Sequence, residues 1–249
     1  MRFTTGFSWF GEALRALQRR PMALSCVCLF NLITGLMLSG LPVLGVLLAA
    51  LWLPFGTLLA TDAARRAVEG ADPDYGILSR AWADKPVRYG LLTLGIAYAV
   101  AVEVSGLLFS LLARADMQSW VLTDEGLDMQ SVLNHLPVSA FIVSGLIYLV
   151  ILMANAFAPI LLARGGQSWK KALFYSFFGS LKNWAPALAF GLALVVLALA
   201  LTAALTGVGL VVGAGRTALY VAPFVTVFMS VVAQVGLWPA YRDMFSARA

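Results

Sequence analysis

The most constraining feature of this sequence is a series of apolar runs, each about as long as a membrane is thick. Crossing the hydrocarbon core takes about 20 consecutive apolar residues in a helix. Only 12% of the residues are charged, which is about half the share in soluble domains. The sequence therefore predicts an all-α polytopic integral membrane protein with six transmembrane helices, at about 22–40, 43–61, 89–113, 137–163, 187–212 and 217–241.

A short amphipathic segment with basic residues precedes each pair of apolar runs and ends near a proline. The first segment, residues 5–20, ends at Pro21, and its apolar side chains recur at helical spacing at Phe7, Phe10, Leu14 and Leu17. The others precede Pro86 and Pro186, and the last has an apolar residue at every fourth position: Trp169, Leu173, Phe177 and Leu181. This spacing is typical of helices that lie on a membrane surface. We predict three transmembrane hairpins, each preceded by a cytoplasmic interfacial helix.

The second run of each pair carries a proline near its end, at Pro54, Pro159 and Pro239. Proline removes a backbone hydrogen bond and kinks a helix. Junction and proline recur together, so we predict one membrane domain, 1–249, made of pseudo-repeats at about 5–69, 74–164 and 168–243. Kinks at one depth would make the bundle narrow or splay at that side. The alternative is that prolines are simply frequent in transmembrane helices.

The distribution of basic residues predicts the orientation. With a cytoplasmic N-terminus, only Arg114 and Arg216 of the 17 Lys and Arg residues fall on the outer side. We predict a bacterial inner-membrane protein with both termini cytoplasmic. The net charge of +5 then favours anionic lipid headgroups over nucleic acid as the partner. Basic residues of the three junctions are candidate contacts for these lipids or for a protein partner: Arg19, Arg20, Lys85, Arg88, Lys170, Lys171 and Lys182.

Glu103 is the most conspicuous polar residue inside a predicted span. It lies roughly 21 Å from the cytoplasmic end of the third apolar run, at about 1.5 Å per helical residue. Gly95, Ala99 and Gly106 share its helical stripe, and such small-residue stripes pack against other helices. We therefore expect Glu103 to face the bundle interior. It is a candidate proton, cation or substrate site; the alternatives are a protonated carboxyl bonded to a neighbouring helix, or one that reaches toward the periplasm.

Three amides also lie inside predicted spans. Asn31 is interpreted as a residue that bonds one helix to another. Asn155 and Gln234 precede Pro159 and Pro239 by four and five positions, and each is a candidate to bond carbonyls that its proline leaves free.

Residues typical of enzymes are scarce. His135 is the only histidine, so a histidine-rich metal site is not available, and its place in a loop beside Pro137 gives no sign of a Ser-His-Asp triad. Asp62 and Arg65 are interpreted as the end of a helix that enters water. The polar segment 114–136 is expected to form amphipathic helical pieces on the far surface. We predict no catalytic residue, no metal site and no cofactor.

Three stretches carry a resemblance to a known group of proteins: Arg19-Arg20-Pro21, residues 41–45, and Pro54-Phe55-Gly56 leading to Arg65-Arg66. They resemble a family of uncharacterised six-span inner-membrane proteins of proteobacteria. More distantly, the layout resembles the membrane domain of some glycerophosphodiester phosphodiesterases. The resemblance implies the six-span fold but no activity and no site residues.

Two functions remain open from the sequence. The first is a non-enzymatic scaffold or accessory subunit of a membrane or envelope complex, with a membrane-protein partner or a second copy of the chain. The alternative is a small transporter or channel for a cation or metabolite, with Glu103 as the intramembrane site.

Overall fold

The structure, a computed structural model, describes residues 1–123, 126–211 and 217–245. Arg216, one of the two basic residues assigned to the outer side, lies outside these ranges. Within them the elements, in chain order, are α1 (Thr5–Arg19), α2 (Pro21–Ser39), α3 (Gly45–Val68), α4 (Gly76–Ala83), α5 (Lys85–Gln118), β1 (Leu122–Thr123), β2 (Gly126–Leu127), α6 (Met129–Asn134), α7 (Val138–Asn155), α8 (Ala158–Gly165), α9 (Trp169–Lys182), α10 (Trp184–Val211) and α11 (Thr217–Phe245).

In the described ranges, six helical segments are long and apolar enough to cross a membrane. They are α2, α3, α5, α7 with α8, α10 and α11. The short helices α1, α4 and α9 stand directly before α2, α5 and α10. The all-α, six-helix prediction is therefore confirmed. The surface position of the short helices and the internal repeat stay predictions.

The junction prolines begin the long helices. Pro21 is the first residue of α2, and Pro86 lies in the first turn of α5. A proline is tolerated there because the first N–H groups of a helix have no intrahelical partner. At α5 the Asp84 carboxylate caps the helix by accepting the N–H of Val87 at 3.4 Å.

The prolines in the second apolar run of each pair, Pro54, Pro159 and Pro239, do not lie in the same local structure. Pro54 and Pro239 lie inside the continuous helices α3 and α11. Pro159 follows a real break, because α7 ends at Asn155 and α8 begins at Ala158. The three prolines therefore differ in local structure, and a common kink stays a prediction.

The core lies at one end of the bundle, which we call the short-helix end because α1, α4 and α9 lie there. Its largest buried side chains include Trp9, Leu58, Leu91 and Ile160. At the opposite end apolar side chains are exposed, among them Leu36, Leu111, Leu146 and Leu199. The helices thus pack most closely at the end where Pro54, Pro159 and Pro239 lie, and a narrowing of the bundle there stays a prediction.

Helix α1 buries a different face from the predicted one. Trp9 is 1% exposed and packs in the core with Ala13 and Ala16, whereas Phe7 is 46% exposed. A Cβ at Gly6 would overlap the Pro186 carbonyl, so α1 approaches α10 closely. Small residues permit this approach, so Ala13 and Ala16 are buried beside Leu17, whereas Phe10 and Leu14 of the predicted series are only partly buried.

Helix α9 follows the same rule. Its buried residues are Ala172, Ser176 and Ser180, spaced by four, and not the apolar series that begins at Trp169. The small side chains let α9 pack against α7 and α8. Phe174, Tyr175 and Phe178 are exposed, whereas Trp169 is partly buried against the core.

The polar segment after α5 also differs from expectation. Of the predicted segment 114–136, residues 114–118 belong to α5, and the described residues after them form the antiparallel pair β1 and β2 and the short helix α6. Gly126 has φ of 120°, which only glycine adopts readily. Asp128 caps α6 by accepting the N–H groups of Gln130 and Ser131 at 3.1 and 3.2 Å. Turn and cap chemistry therefore determine this segment.

Candidate functional site

A buried carboxylate joins two distant helices at the short-helix end. Asp62 of α3 is 3% exposed, and its Oδ1 accepts hydrogen bonds from the guanidinium groups of Arg164 and Arg65. Arg164 ends α8 and lies 102 positions away in the chain. The expectation that Asp62 enters water is wrong, because the start of α8 and its arginine cover it.

Asp62 and Arg164 line a cavity of about 290 Å³, which we call the polar cavity. Its other charged side chains are Arg65, Arg80 and Asp84. Four helices contribute to its wall: α3, α4, the start of α5 and α8. The second carboxylate oxygen of Asp62, Oδ2, is buried and has no hydrogen-bond partner in the part of the chain that the structure describes.

Two neighbouring contacts hold the charged side chains of the cavity in place. The Arg164 guanidinium lies 5.3 Å from the ring centre of Trp238 in α11, a cation–π contact. Arg80 donates to Asp74 at 2.6 Å, and this bond holds the pKa of the Asp74 carboxyl below its usual range. Asp74 also accepts the N–H of Gly76 at 2.9 Å, which fixes the start of α4.

A second ionic cluster ties the N-terminal helix to the last helix. Arg242 of α11 forms a two-pronged bond with Glu12 of α1, at 3.0 and 3.2 Å. Asp243 accepts the indole N–H of Trp9 at 2.9 Å. These bonds fix α1 to the bundle. They leave few free hydrogen-bond donors and acceptors in this cluster for a ligand.

Three of the predicted basic contact residues are engaged by the chain itself. Arg20 pairs with Asp72 at 2.8 Å and donates to the Gly70 carbonyl at 2.9 Å. Arg19 donates to the Val68 carbonyl, and Arg88 to that of Trp82. These arginines secure the connections around α4, a structural role that the sequence did not indicate.

The predicted lysines behave differently, because all four are exposed and none is paired with a carboxylate within the described ranges. Lys85 lies at the start of α5; the other three belong to α9. They share one face of that helix with exposed aromatic and aliphatic residues, and we call this face the α9 surface: Lys170, Lys171, Phe174, Tyr175, Phe178, Leu181 and Lys182. Lysines beside exposed aromatic rings suit a membrane boundary or a partner's acidic surface.

The structure brings two of the predicted intramembrane amides together. Asn31 of α2 donates through Nδ2 to Oε1 of Gln234 in α11, at 2.7 Å. Trp52 donates to the Asn31 carbonyl at 3.1 Å, and Gly56 leaves room for the Asn31 side chain. The amides therefore link α2, α3 and α11 and satisfy one another.

The polar groups at the α7–α8 break are satisfied by a residue that sequence reasoning missed. Asn155 donates only to its own helix, at the Ile151 carbonyl. Ser176 of α9, fully buried, accepts the Phe157 N–H at 3.1 Å and donates to the Met153 carbonyl at 2.7 Å. The four-residue spacing of Ala172, Ser176 and Ser180 was the available signal.

Glu103 does not face the interior of the bundle. It lies on the exposed side of α5 with Val100, Val104 and Leu107. The small-residue stripe is buried at Gly95 and Ala99, where α5 packs against α3, but no longer at Gly106. The expectation fails because α3 begins at Gly45 and covers α5 only as far as about Ala99, whereas α7 continues along a different face of α5, at Ser105 and Phe109.

Comparison with known proteins gives one relevant relative. The chain is 26% identical to a protein of Burkholderia thailandensis named a probable inner membrane protein, over 98% of this chain and 92% of the relative. No family model matches the chain, and no solved structure matches it. The likeness to the phosphodiesterase membrane domain stays a prediction. The relative's name and the six apolar helices together show that the chain is a multi-pass inner membrane protein.

Proposed function

We propose that the protein is a non-enzymatic accessory or scaffold subunit of a membrane or envelope complex, and that the α9 surface is its contact with a protein partner. The observation that carries this proposal is the α9 surface itself. It combines exposed lysines with Phe174 and Phe178, which are 57% and 48% exposed. Aromatic residues surrounded by charged residues are typical of interface patches.

The rest of the molecule supports a structural role. Amide groups of different long helices bond to one another, as Asn31 of α2 does with Gln234 of α11. Such closed pairs stabilise one arrangement of helices. The transporter alternative gains no support from the position of Glu103 on the exposed side of α5.

The orientation belongs to the same proposal. The short-helix end would lie in the cytoplasm, where its lysines would meet anionic lipid headgroups or a partner's acidic residues. The partner would therefore approach from the cytoplasmic side or within the cytoplasmic leaflet.

Site-specific photo-crosslinking in native membranes tests the proposal. A photoreactive amino acid replaces Phe178 on the α9 surface, and a matched control replaces Phe141, an exposed phenylalanine of α7 that contacts Phe109. We expect one defined protein adduct from position 178 and none from position 141. The adduct should weaken when Lys170, Lys171 and Lys182 are changed to Gln. Lipid adducts alone at position 178, or an equal protein adduct at both positions, would contradict the proposal.

A further inference from the structure

We propose that the polar cavity binds the phosphoethanolamine headgroup of a membrane phospholipid. This site is separate from the α9 surface and does not depend on the proposed function. The ammonium would be bound by Asp62 and Asp84, and the phosphate by Arg80 and Arg164.

The acceptor side of the site rests on Asp62. Its Oδ1 already accepts from two guanidinium groups, while Oδ2 is buried and unpartnered among the described residues. A buried carboxylate oxygen without a donor is costly, so a ligand that donates hydrogen bonds is favoured there. Asp84 adds a second, exposed carboxylate that accepts only the N–H of Val87 within the described part of the chain. A primary ammonium, with three N–H donors, matches this pair.

The donor side consists of two arginines with unused capacity. A guanidinium carries five N–H donors in a planar arrangement that suits phosphate. Arg164 uses Nη2 for Asp62, and Arg80 uses Nη2 for Asp74. Arg65 is different, because its Nε, Nη1 and Nη2 all bond to Asp62 or Glu69. Arg80 and Arg164 therefore retain N–H donors for the phosphate. The cavity thus offers an opposite charge to each of the two charges of a zwitterion.

The surroundings favour a lipid over a free metabolite. The cavity volume of about 290 Å³ is at the lower end for small-ligand sites, which suits a headgroup. A second, apolar groove of about 480 Å³ lies along the same helices α3, α4 and α5 and is lined by Trp52, Phe55 and Trp82. Helix α4 lies between the two, with Arg80 and Ala81 facing the cavity and Leu78 and Trp82, on the other side of the helix, facing the groove. The proposal places the headgroup in the cavity and an acyl chain in the groove.

Native mass spectrometry of the delipidated full-length protein tests the site. The probes are phosphatidylethanolamine and phosphatidylglycerol with identical acyl chains, and soluble glycerophosphoethanolamine. We expect phosphatidylethanolamine to bind about tenfold more tightly than phosphatidylglycerol, which is the effect of one hydrogen bond between charged groups. Glycerophosphoethanolamine should bind more weakly than either lipid, because it lacks the acyl chain.

Variants separate the two halves of the site. Asp84→Asn should abolish the preference for phosphatidylethanolamine and leave phosphatidylglycerol binding unchanged, whereas Arg80→Gln should weaken both lipids. Both side chains are exposed enough to be replaced without unfolding, unlike Asp62. Arg15→Gln is the control and should change neither, because Arg15 is exposed on α1 and, in the described part of the chain, bonds only to the Gly11 carbonyl of its own helix. Equal affinity for the two lipids, or an Asp84→Asn variant that keeps the preference, would overturn the proposal. If glycerophosphoethanolamine bound as tightly as the lipids, the inference that the ligand is a membrane lipid would be overturned.

Discussion

Asp62 illustrates how the environment of one residue depends on a distant part of the chain. It lies at the end of an apolar run, where a carboxylate ordinarily enters water, and yet it is buried by α8 and bonded to Arg164. The break before Pro159 brings that arginine into place, because it separates α8 from α7. From the sequence, the charge and its approximate depth could be predicted, but its partner, 102 positions away, could not.

The Asp62–Arg164 pair should contribute measurably to stability. Arg164→Gln leaves a buried carboxylate with Arg65 as its main partner, so we expect a loss of about 2 kcal/mol; this is below the usual cost of breaking a buried pair because Arg164 is 30% exposed. The measurement is denaturant unfolding in detergent micelles.

The double variant Asp62→Asn with Arg164→Gln is the control for this prediction. Because it removes both charges, its loss should be about 1 kcal/mol smaller than the sum of the two single losses. Strict additivity would show that the two side chains do not interact.

At the scale of helices, small residues decide which faces are buried. In α1 and α9 the sequence pattern of large apolar residues predicts helix existence and approximate bounds correctly, but it points to the wrong face. Gly6, Ala13, Ala172 and Ser176 are buried because they allow backbones to approach, whereas large side chains such as Phe7 and Phe174 are exposed; Trp9 is a large side chain that does lie in the core. Hydrophobic spacing is a weak guide here because membrane lipid accepts bulky apolar side chains as readily as the core does.

Ser176 should be the most sensitive of the small residues on α9. Ser176→Ala removes the acceptor for the Phe157 N–H and the donor to the Met153 carbonyl, so we expect a loss of about 1–2 kcal/mol. Ser110→Ala is the matched control, because Ser110 is exposed and bonds only within its own helix; its effect should stay below about 0.5 kcal/mol. Thermal unfolding in micelles compares the two, and equal effects would contradict the assigned role of Ser176.

At the scale of the whole molecule, nearly every feature relevant to binding lies at one end of the bundle. The core, both ionic clusters, the polar cavity and the α9 surface lie at the short-helix end. The apolar runs predict the number of spans, and the basic residues predict which ends lie together. The exposure of Glu103 could not be predicted from the sequence, because it depends on which part and which face of α5 each neighbouring helix covers.

The central claim is that the short-helix end is cytoplasmic, because the partner surface and the orientation of the lipid site both depend on it. Paired reporter fusions measure this directly: alkaline phosphatase is active only outside the cytoplasm, and green fluorescent protein fluoresces only inside. We predict phosphatase activity without fluorescence for fusions after Leu127, and fluorescence without phosphatase activity for fusions after Lys171. The reverse pattern at either position would contradict the account.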